Sequence, residues 1–241
     1  MLKGQIALVT GANTGTGFEV VRALARRGMT VYLGSRDAQK GVRAVEALAG
    51  EGDIRLAVID LTDENSLRAA IDMIGKAHGR LDSLVNNAGF APDGTILDAS
   101  PASIRESMDT NLHGPIRLAQ LALPLLRKAE IGRIVNVSSM TSLIRWLQAP
   151  DPRVQPHTLP YAYSVAKAAQ NAATIMLAHA LQADGIKVNA ATPGYVKSQV
   201  SRFMGTKTPK DGARVIVELA TLDKDGPTCG FFDDSGPISW T

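Results

Sequence analysis

The sequence predicts a doubly wound α/β fold: a parallel sheet of about seven strands with helices on both faces. Three observations predict it. Strand-like runs alternate with helical ones almost to the end of the chain. The strand runs are nearly continuous Val, Ile, Leu and Ala, the pattern of strands buried on both faces. The first strand is joined to the first helix by a turn carrying three glycines.

The elements follow in order. Gln5–Thr10 is a short apolar strand, and Thr10–Gly17 is the glycine turn. Phe18–Arg27 repeats with a helical period that places Phe18, Val21, Leu24 and Ala25 on one face. Gly28 stands where a helix C-cap belongs, and Arg26 and Arg27 suit the negative end of the helix dipole. Further strands are expected at Thr30–Leu33, Arg55–Asp60, Leu81–Asn86, Arg133–Ser138, Lys187–Ala191 and Cys229–Phe232. Helices are expected at Ala38–Ala49, Glu64–Ala77, Ser103–Lys128, Tyr163–Ala183 and Pro209–Ala220. Thr62 with Asn65, and Ser100 before Pro101, supply helix-start chemistry. Thr141–Pro160, with four prolines, and Tyr195–Thr208 read as long loops.

Composition narrows the function. At 241 residues and 45 % hydrophobic content, 1–241 reads as a single domain with a substantial core. The 26 basic and 23 acidic residues are scattered, with no run of Lys and Arg, so no nucleic-acid partner is expected. Cys229 stands alone, which excludes an intrachain disulfide and a thiolate metal site. His78, His113, His157 and His179 lack ligand spacing, so no metal is expected. No export signal and no bilayer-spanning apolar stretch is found, and the first strand begins almost at once. A cytoplasmic protein without a membrane partner is the expectation.

In a doubly wound sheet, ligands bind beyond the carboxyl ends of the strands. Every chemistry-bearing motif here falls at such an end. The first strand runs into Thr10-Gly11-x-x-x-Gly15-x-Gly17 and a helix N-terminus, where first-turn N–H groups face an anion. Glycine turns also occur for steric reasons, so the downstream motifs decide. The second strand ends in Gly34-Ser35-Arg36-Asp37, the third in Asp60-Leu61 and the fourth in Asn86-Asn87-Ala88-Gly89. Pro115 has no N–H, which frees the carbonyl of Asn111 and makes the helix bend or bind water there. A kink serving packing alone is the competing reading.

The fifth strand ends in Asn136-Val137-Ser138-Ser139, and the next helix opens with Tyr163-Ser164-Val165-Ala166-Lys167. Tyr163 and Lys167 share one helical face. A free tyrosine has a pKa of about 10, so acid–base work near neutrality asks for a shift of roughly 3 units, or about 4 kcal/mol. One ammonium at about 4 Å supplies roughly that much at an effective dielectric near 20.

Taken in order, the glycine turn, N-N-A-G, N-V-S-S and Y-x-x-x-K resemble the short-chain dehydrogenase/reductase (SDR) family over essentially the whole chain. The segments T-G-A-N-x-G-x-G-F-E-V, T-P-G-Y-V-K and G-P-T-C-G-F-F are similar to its carbonyl-reductase-like branch. The resemblance implies a Rossmann-type domain and a dinucleotide cofactor. It implies that Gly11, Asn13, Thr14, Gly15, Thr16 and Gly17 meet the cofactor, with Asp60 and Leu61 near its adenine. Asn87, Ala88 and Gly89 would shape the site, and Pro193, Gly194 and Val196 would cover the nicotinamide. Tyr163 becomes the general acid when a carbonyl is reduced, and the base in reverse. Lys167 would lower the Tyr163 pKa and bind the nicotinamide ribose. Ser139, ahead of Ser138, would hydrogen-bond the substrate oxygen, and Asn111 would anchor a relay water.

Ser35 occupies the place where NAD-specific relatives carry an acid, and Arg36 follows with a guanidinium suited to a 2′-phosphate. Thr14 adds a hydroxyl where many relatives have a basic residue. NADP(H) is therefore favoured, with NAD(H) left open; the alternative is that Ser35 or Asp37 caps the next helix while Arg36 is merely solvated. The implied function is NADPH-dependent reduction of a ketone or aldehyde. An alcohol dehydrogenase working oxidatively is the alternative enzyme. A dinucleotide-sensing protein is the alternative outside catalysis, although such proteins tend to lose the Tyr/Lys pair. A sugar-nucleotide epimerase is disfavoured because the chain ends soon after the seventh strand, and a hydrolase because G-x-S-x-G is absent. The substrate wall is expected to draw on Phe90, Met140, Trp146, Tyr195 and the 195–208 loop, suiting an apolar body around the carbonyl.

One departure stands out. Ser139 and Tyr163 are 24 positions apart, about twice the usual separation in the family. Tyr161 is a rival, but Val165 stands where its Lys partner would be. The extra chain is expected mainly within Arg145–Leu159, with Pro150, Pro152 and Pro156 stiffening it and His157 near its end. It should form part of the substrate wall, with Trp146 or Leu147 turned inward. It should also crowd the helix face that relatives use to build tetramers, so a monomer or homodimer is expected.

Overall fold

The computed structural model describes residues 2–148 and 159–240. Its strands are β1 (Ile6–Val9), β2 (Thr30–Ser35), β3 (Ile54–Val58), β4 (Ser83–Asn86), β5 (Arg133–Val137), β6 (Lys187–Ala191), β7 (Phe231–Asp233) and β8 (Gly236–Ile238). They form one sheet in the order β3-β2-β1-β4-β5-β6-β7-β8, parallel except for the final β7–β8 pair. The chain reverses direction across the sheet between β1 and β4, the crevice where a doubly wound fold binds its ligand.

The helices are α1 (Gly15–Arg26), α2 (Ala38–Ala47), α3 (Glu64–His78), α4 (Pro101–Met108), α5 (Gly114–Leu126), α6 (Ile144–Gln148), α7 (Tyr161–Ala180) and α8 (Pro209–Ala220). The two-residue period of the strands divides the core. Tyr32, Leu8, Leu84, Ile134 and Val188 lie in one register row and pack with α3 and α5 residues such as Leu67, Ile74, Leu118 and Leu126. The alternate positions Val9, Leu33, Val85 and Val135 pack on the other face against Val20, Leu24, Ile216 and Val217. Toward the carboxyl ends the rows turn polar. Asn86 donates to Asn136 Oδ1 (2.8 Å), and Asn136 donates to Thr174 Oγ1 of α7 (2.9 Å).

Several expectations are corrected. An eighth strand exists because the chain folds back after Asp233, and Pro237 is tolerated on that edge. β3 is not continuously buried: as the opposite edge it exposes Arg55 and Val58. On α1 the buried face is Val20, Val21, Leu24 and Ala25, while Phe18 lies at its margin with the Arg22 guanidinium over its ring (4.9 Å). The cap of α3 is Asp63, which accepts from the Asn65 N–H; Thr62 instead holds Asp60. Ser100 does cap α4, with Pro101 in its first turn.

The expected helix over 103–128 begins at Pro101 and is interrupted by a π turn at Asp109–His113. The Gly114 N–H reaches back to the Asp109 carbonyl, the wide step of a π bulge placed directly before Pro115. The stretch after Ser139 is not simply a loop. A 3₁₀ turn at Met140–Ser142 leads into α6. Pro150, Pro152, Pro156 and His157 lie outside the described residues. The 195–208 stretch remains irregular, pinned by a bridge between Val196 and Lys207.

Candidate active site

The glycine turn and the N-N-A-G segment interlock. Thr10 Oγ1 accepts from the N–H groups of Asn87 and Ala88 (both 3.0 Å), and Asn87 Nδ2 donates back to the Thr10 carbonyl (2.8 Å). Gly11 takes a positive φ of 60°, and a Cβ there would meet Ala88 Cα at 2.7 Å. A Cβ on Gly17 would collide with Asn87 Nδ2. Side chains are thus excluded where the turn packs against the N-N-A-G segment.

The N-terminus of α1 is left without a side-chain cap. Thr14 occupies the cap position with extended backbone and makes no capping bond, and no acid lies in the first turn. Uncapped N–H groups with the positive end of the helix dipole suit a phosphate. Asn13 and Thr16 are partly buried in the same turn, and Gly15 faces Ser198 of the 195–208 loop (3.7 Å from its Cβ position).

At the end of β2, Ser35 is buried and donates to the Asp37 carbonyl (2.7 Å), while Asp37 caps α2 through the Lys40 N–H. This leaves Arg36 exposed, with no hydrogen-bond or ion-pair partner among the described residues. Asp60 accepts from the Thr62 N–H and hydroxyl (2.9 and 2.8 Å), and Leu61 lies against Gly114.

Asn111 is fully buried in the π turn. Its amide donates to Phe90 O (2.7 Å) and Ser107 O (2.9 Å) and accepts from the Phe90 N–H (3.1 Å). The side chain therefore fastens the turn to the segment after Gly89, while Pro115 withholds the usual donor from the Asn111 carbonyl.

Ser139, Tyr163 and Lys167 come together at the end of β5. Ser139 lies two residues past β5 in extended conformation, and its Oγ lies 3.0 Å from Thr141 Oγ1. Tyr163 stands in the first turn of α7 and Lys167 one turn later, its Nζ 5.7 Å from the phenol ring centre. Burial pushes the Tyr163 phenol up to about 12, against a smaller lowering by its hydrogen bond with Ser139. Burial pulls Lys167 down to about 7.

This corrects the expectation that the ammonium alone depresses the phenol. Lys167 is 2 % exposed, and its Nζ donates to the Val137 carbonyl (2.7 Å) and Gln170 Oε1 (3.1 Å). Removal from water is the largest influence on both groups, raising the phenol and lowering the ammonium.

Sequence reasoning missed the polar face of α7 behind this group. Gln170, Asn171 and Thr174 are all buried there with Lys167. Their spacing from Tyr163 and Lys167 is the signal that was available: polar residues recurring on an otherwise apolar helical face.

Pro193 and Gly194 lead to Val196, whose side chain is buried, whereas Tyr195 is 53 % exposed. Val200, Phe203 and Met204 expose further apolar surface on this loop. Arg202 on the loop pairs with Asp93 of the segment after β4. Met140 and Trp146 pack with Leu143, Phe231 and Trp240, so Trp146 is turned against the protein while Leu147 is 38 % exposed. Among the described residues no group of His, Cys, Asp and Glu could hold a metal, and no helix is long and apolar enough to cross a membrane.

A family model described as short chain dehydrogenase matches residues 5–208. The chain is similar to carbonyl reductase [NADPH] 1 of Oryctolagus cuniculus, 34 % identical with 98 % of each chain covered. It is also similar to (+)-neomenthol dehydrogenase of Capsicum annuum, 28 % identical with 94 % of each covered. Among solved structures, the NADPH-bound carbonyl reductase from chicken fatty liver superposes with a TM-score of 0.87 at 25 % identity, covering 99 % of each chain. The alignment with the rabbit protein runs to 280 positions against 241 residues here, so that relative carries segments without counterpart in this chain.

Proposed function

The chain belongs to the short-chain dehydrogenase family, and on that premise we propose that it is an NADPH-dependent reductase converting a ketone or aldehyde to an alcohol. The observation that carries the reading is the Tyr163 phenol hydrogen-bonded to Ser139 with the Lys167 ammonium 5.7 Å from its ring, at the same end of the sheet as an uncapped helix N-terminus.

The chain's own residues fit NADPH. The turn Gly11–Gly17 and the first-turn N–H groups of α1 would hold the pyrophosphate, and Arg36 the 2′-phosphate. Asp60 and Leu61 would border the adenine. Asn87, Ala88 and Gly89 would lie along the cofactor, with Pro193, Gly194 and Val196 over the nicotinamide. When bound, NADPH supplies the hydride that reduces the carbonyl carbon. Ser139 donates a hydrogen bond to the carbonyl oxygen, and Tyr163 delivers its proton to that oxygen as charge develops. Lys167 places a positive charge beside the phenolate left behind and binds the nicotinamide ribose. The Asn111 carbonyl, relieved of its helical donor by Pro115, receives the water that returns a proton.

Met140, Trp146, Tyr195 and the apolar tip of the 195–208 loop form the substrate wall, suiting a carbonyl with an apolar or aromatic body. The reading takes 1–241 as one catalytic domain, monomeric or homodimeric and cytoplasmic. A panel of ketones and aldehydes assayed with NADPH and NADH in parallel tests it. Oxidation of NADPH by several aromatic ketones is expected, and no turnover of any carbonyl with either cofactor would refute it.

A further inference from the structure

Gln170 lies one turn beyond Lys167 on the buried face of α7, 2 % exposed. Its Oε1 accepts from the Lys167 ammonium at 3.1 Å, and its Nε2 has no hydrogen-bond partner among the described residues. Among the described residues, the one hydrogen bond this side chain makes is therefore to Lys167. A buried amide with an unpaired N–H is a poor choice for packing, since an apolar side chain of equal volume would leave nothing unsatisfied. An ammonium has three donors. Val137 O takes one at 2.7 Å and Gln170 Oε1 takes a second.

We propose that Gln170 is a positioning residue for the reaction: with the Val137 carbonyl it fixes two protons of the Lys167 ammonium and leaves the third for the cofactor side of the cleft. The inference rests on the Tyr163–Lys167 reading above. Two carbonyl acceptors also favour the charged form, opposing the burial that pulls Lys167 down to about 7. Among the described residues no carboxylate does this work. Glu106 and Arg105 of α4 are exposed, and Asp109 of the π turn pairs with His113 (2.9 Å). Arg133 and Lys187 lie at the opposite ends of β5 and β6. Among the described residues, Tyr163 is the one titratable group beside Lys167.

The test compares Gln170→Met, which keeps volume, with Gln170→Glu, which keeps an acceptor. The readouts are kcat against pH, melting temperature, and titration of the Lys167 ¹³Cε resonance, assigned by its loss in Lys167→Met. Gln170→Met should lower kcat at pH 7 about tenfold or more, with KM for the ketone within about twofold, no loss of melting temperature, and a lower Lys167 titration midpoint. Gln170→Glu should move that midpoint and the alkaline limb of kcat upward, by at least one unit. The proposal is overturned if Gln170→Met matches wild type in kcat and midpoint, or melts lower with its midpoint unmoved, which is the mark of a packing role. If Gln170→Met does not fold, an unmoved midpoint in Gln170→Glu overturns it alone. Failure of the reductase reading is separate: the ¹³C titration needs no turnover, and a Tyr163→Phe enzyme with wild-type rate would indict that reading instead.

Discussion

Ser138 Oγ donates to Asn171 Oδ1 at 2.6 Å, and this bond distinguishes two adjacent serines. Asn171 Nδ2 donates onward to Ser142 Oγ (2.7 Å), whose hydroxyl donates to the Ser139 carbonyl (2.5 Å). Ser138 is 2 % exposed and spent in holding the 140–142 turn to α7. Ser139 is partly exposed and faces Tyr163. Ser139→Ala is therefore expected to lower kcat/KM by about 10²–10³-fold, the loss of one donor to a developing oxyanion, with little change in melting temperature. Ser138→Ala should destabilise the fold by about 1–3 kcal/mol, because it strands a buried amide oxygen. Steady-state kinetics beside thermal melts of both variants would show the assignment reversed if the two effects changed places.

Tyr163→Phe removes the transferable proton and leaves the ring in place. Turnover should nearly vanish, while NADPH affinity, followed by fluorescence titration, stays within about threefold of wild type, since less than about 1 kcal/mol of binding is touched. Tyr161→Phe is the control: that residue begins the same helix, but Val165 stands one turn later, 43 % exposed and uncharged. Retained rate in Tyr163→Phe together with a dead Tyr161→Phe would transfer the acid role.

The buried Lys167 also leaves a mark on stability. Its ordinary value of 10.5 falls to about 7 on folding because burial disfavours the ammonium. Between pH 7 and 10.5 the unfolded chain binds more protons at this site than the folded chain, so the site's contribution to stability rises with pH across that window. Lys167→Met, expected to lose activity, should for that reason raise the melting temperature most near pH 6 and progressively less toward pH 10. A Lys167→Met protein that melts below wild type at every pH would mean that the bonds to Val137 and Gln170 outweigh the burial.

Much of this was legible in the sequence, and the misses share a cause. The alternation of apolar runs and the three-glycine turn report on local periodicity and steric exclusion, which a chain carries in its own order of residues. Pro115 is a further case, since a missing N–H has one consequence wherever the helix lies, and a π turn stands before it. What escaped depends on partners distant in sequence. Asn171 acquires its role only when α7 packs on the 140–142 turn, some thirty residues earlier (|i−j| of 29 and 33 for its two bonds). The Lys167 ammonium was expected to act on Tyr163 at once, because spacing reveals which face two residues share and says nothing of how deeply that face is buried. β8 is three residues long and paired by fold-back, below what periodicity resolves.

Arg36 offers the sharpest test of cofactor choice. Ser35 spends its hydroxyl on the Asp37 carbonyl and Asp37 spends its carboxylate on the Lys40 N–H, so the local capping chemistry is complete without Arg36. An exposed guanidinium with no partner among the described residues is free to meet a phosphate, and a planar fork of donors suits that group better than a ribose hydroxyl. Arg36→Ala should then raise KM for NADPH by about 10–100-fold, the loss of one charge-assisted contact worth about 1.5–3 kcal/mol. KM for NADH should change by less than about threefold, because the 2′-hydroxyl gives the guanidinium no charge to pair. Ser35→Asp should deepen the reversal, placing a carboxylate where a 2′-phosphate would be repelled. Ionic strength supplies the control: the NADPH penalty of Arg36→Ala should shrink in high salt, where an exposed ion pair is already screened in the wild type. Equal penalties on both cofactors, indifferent to salt, would reassign Arg36 to stacking on the adenine.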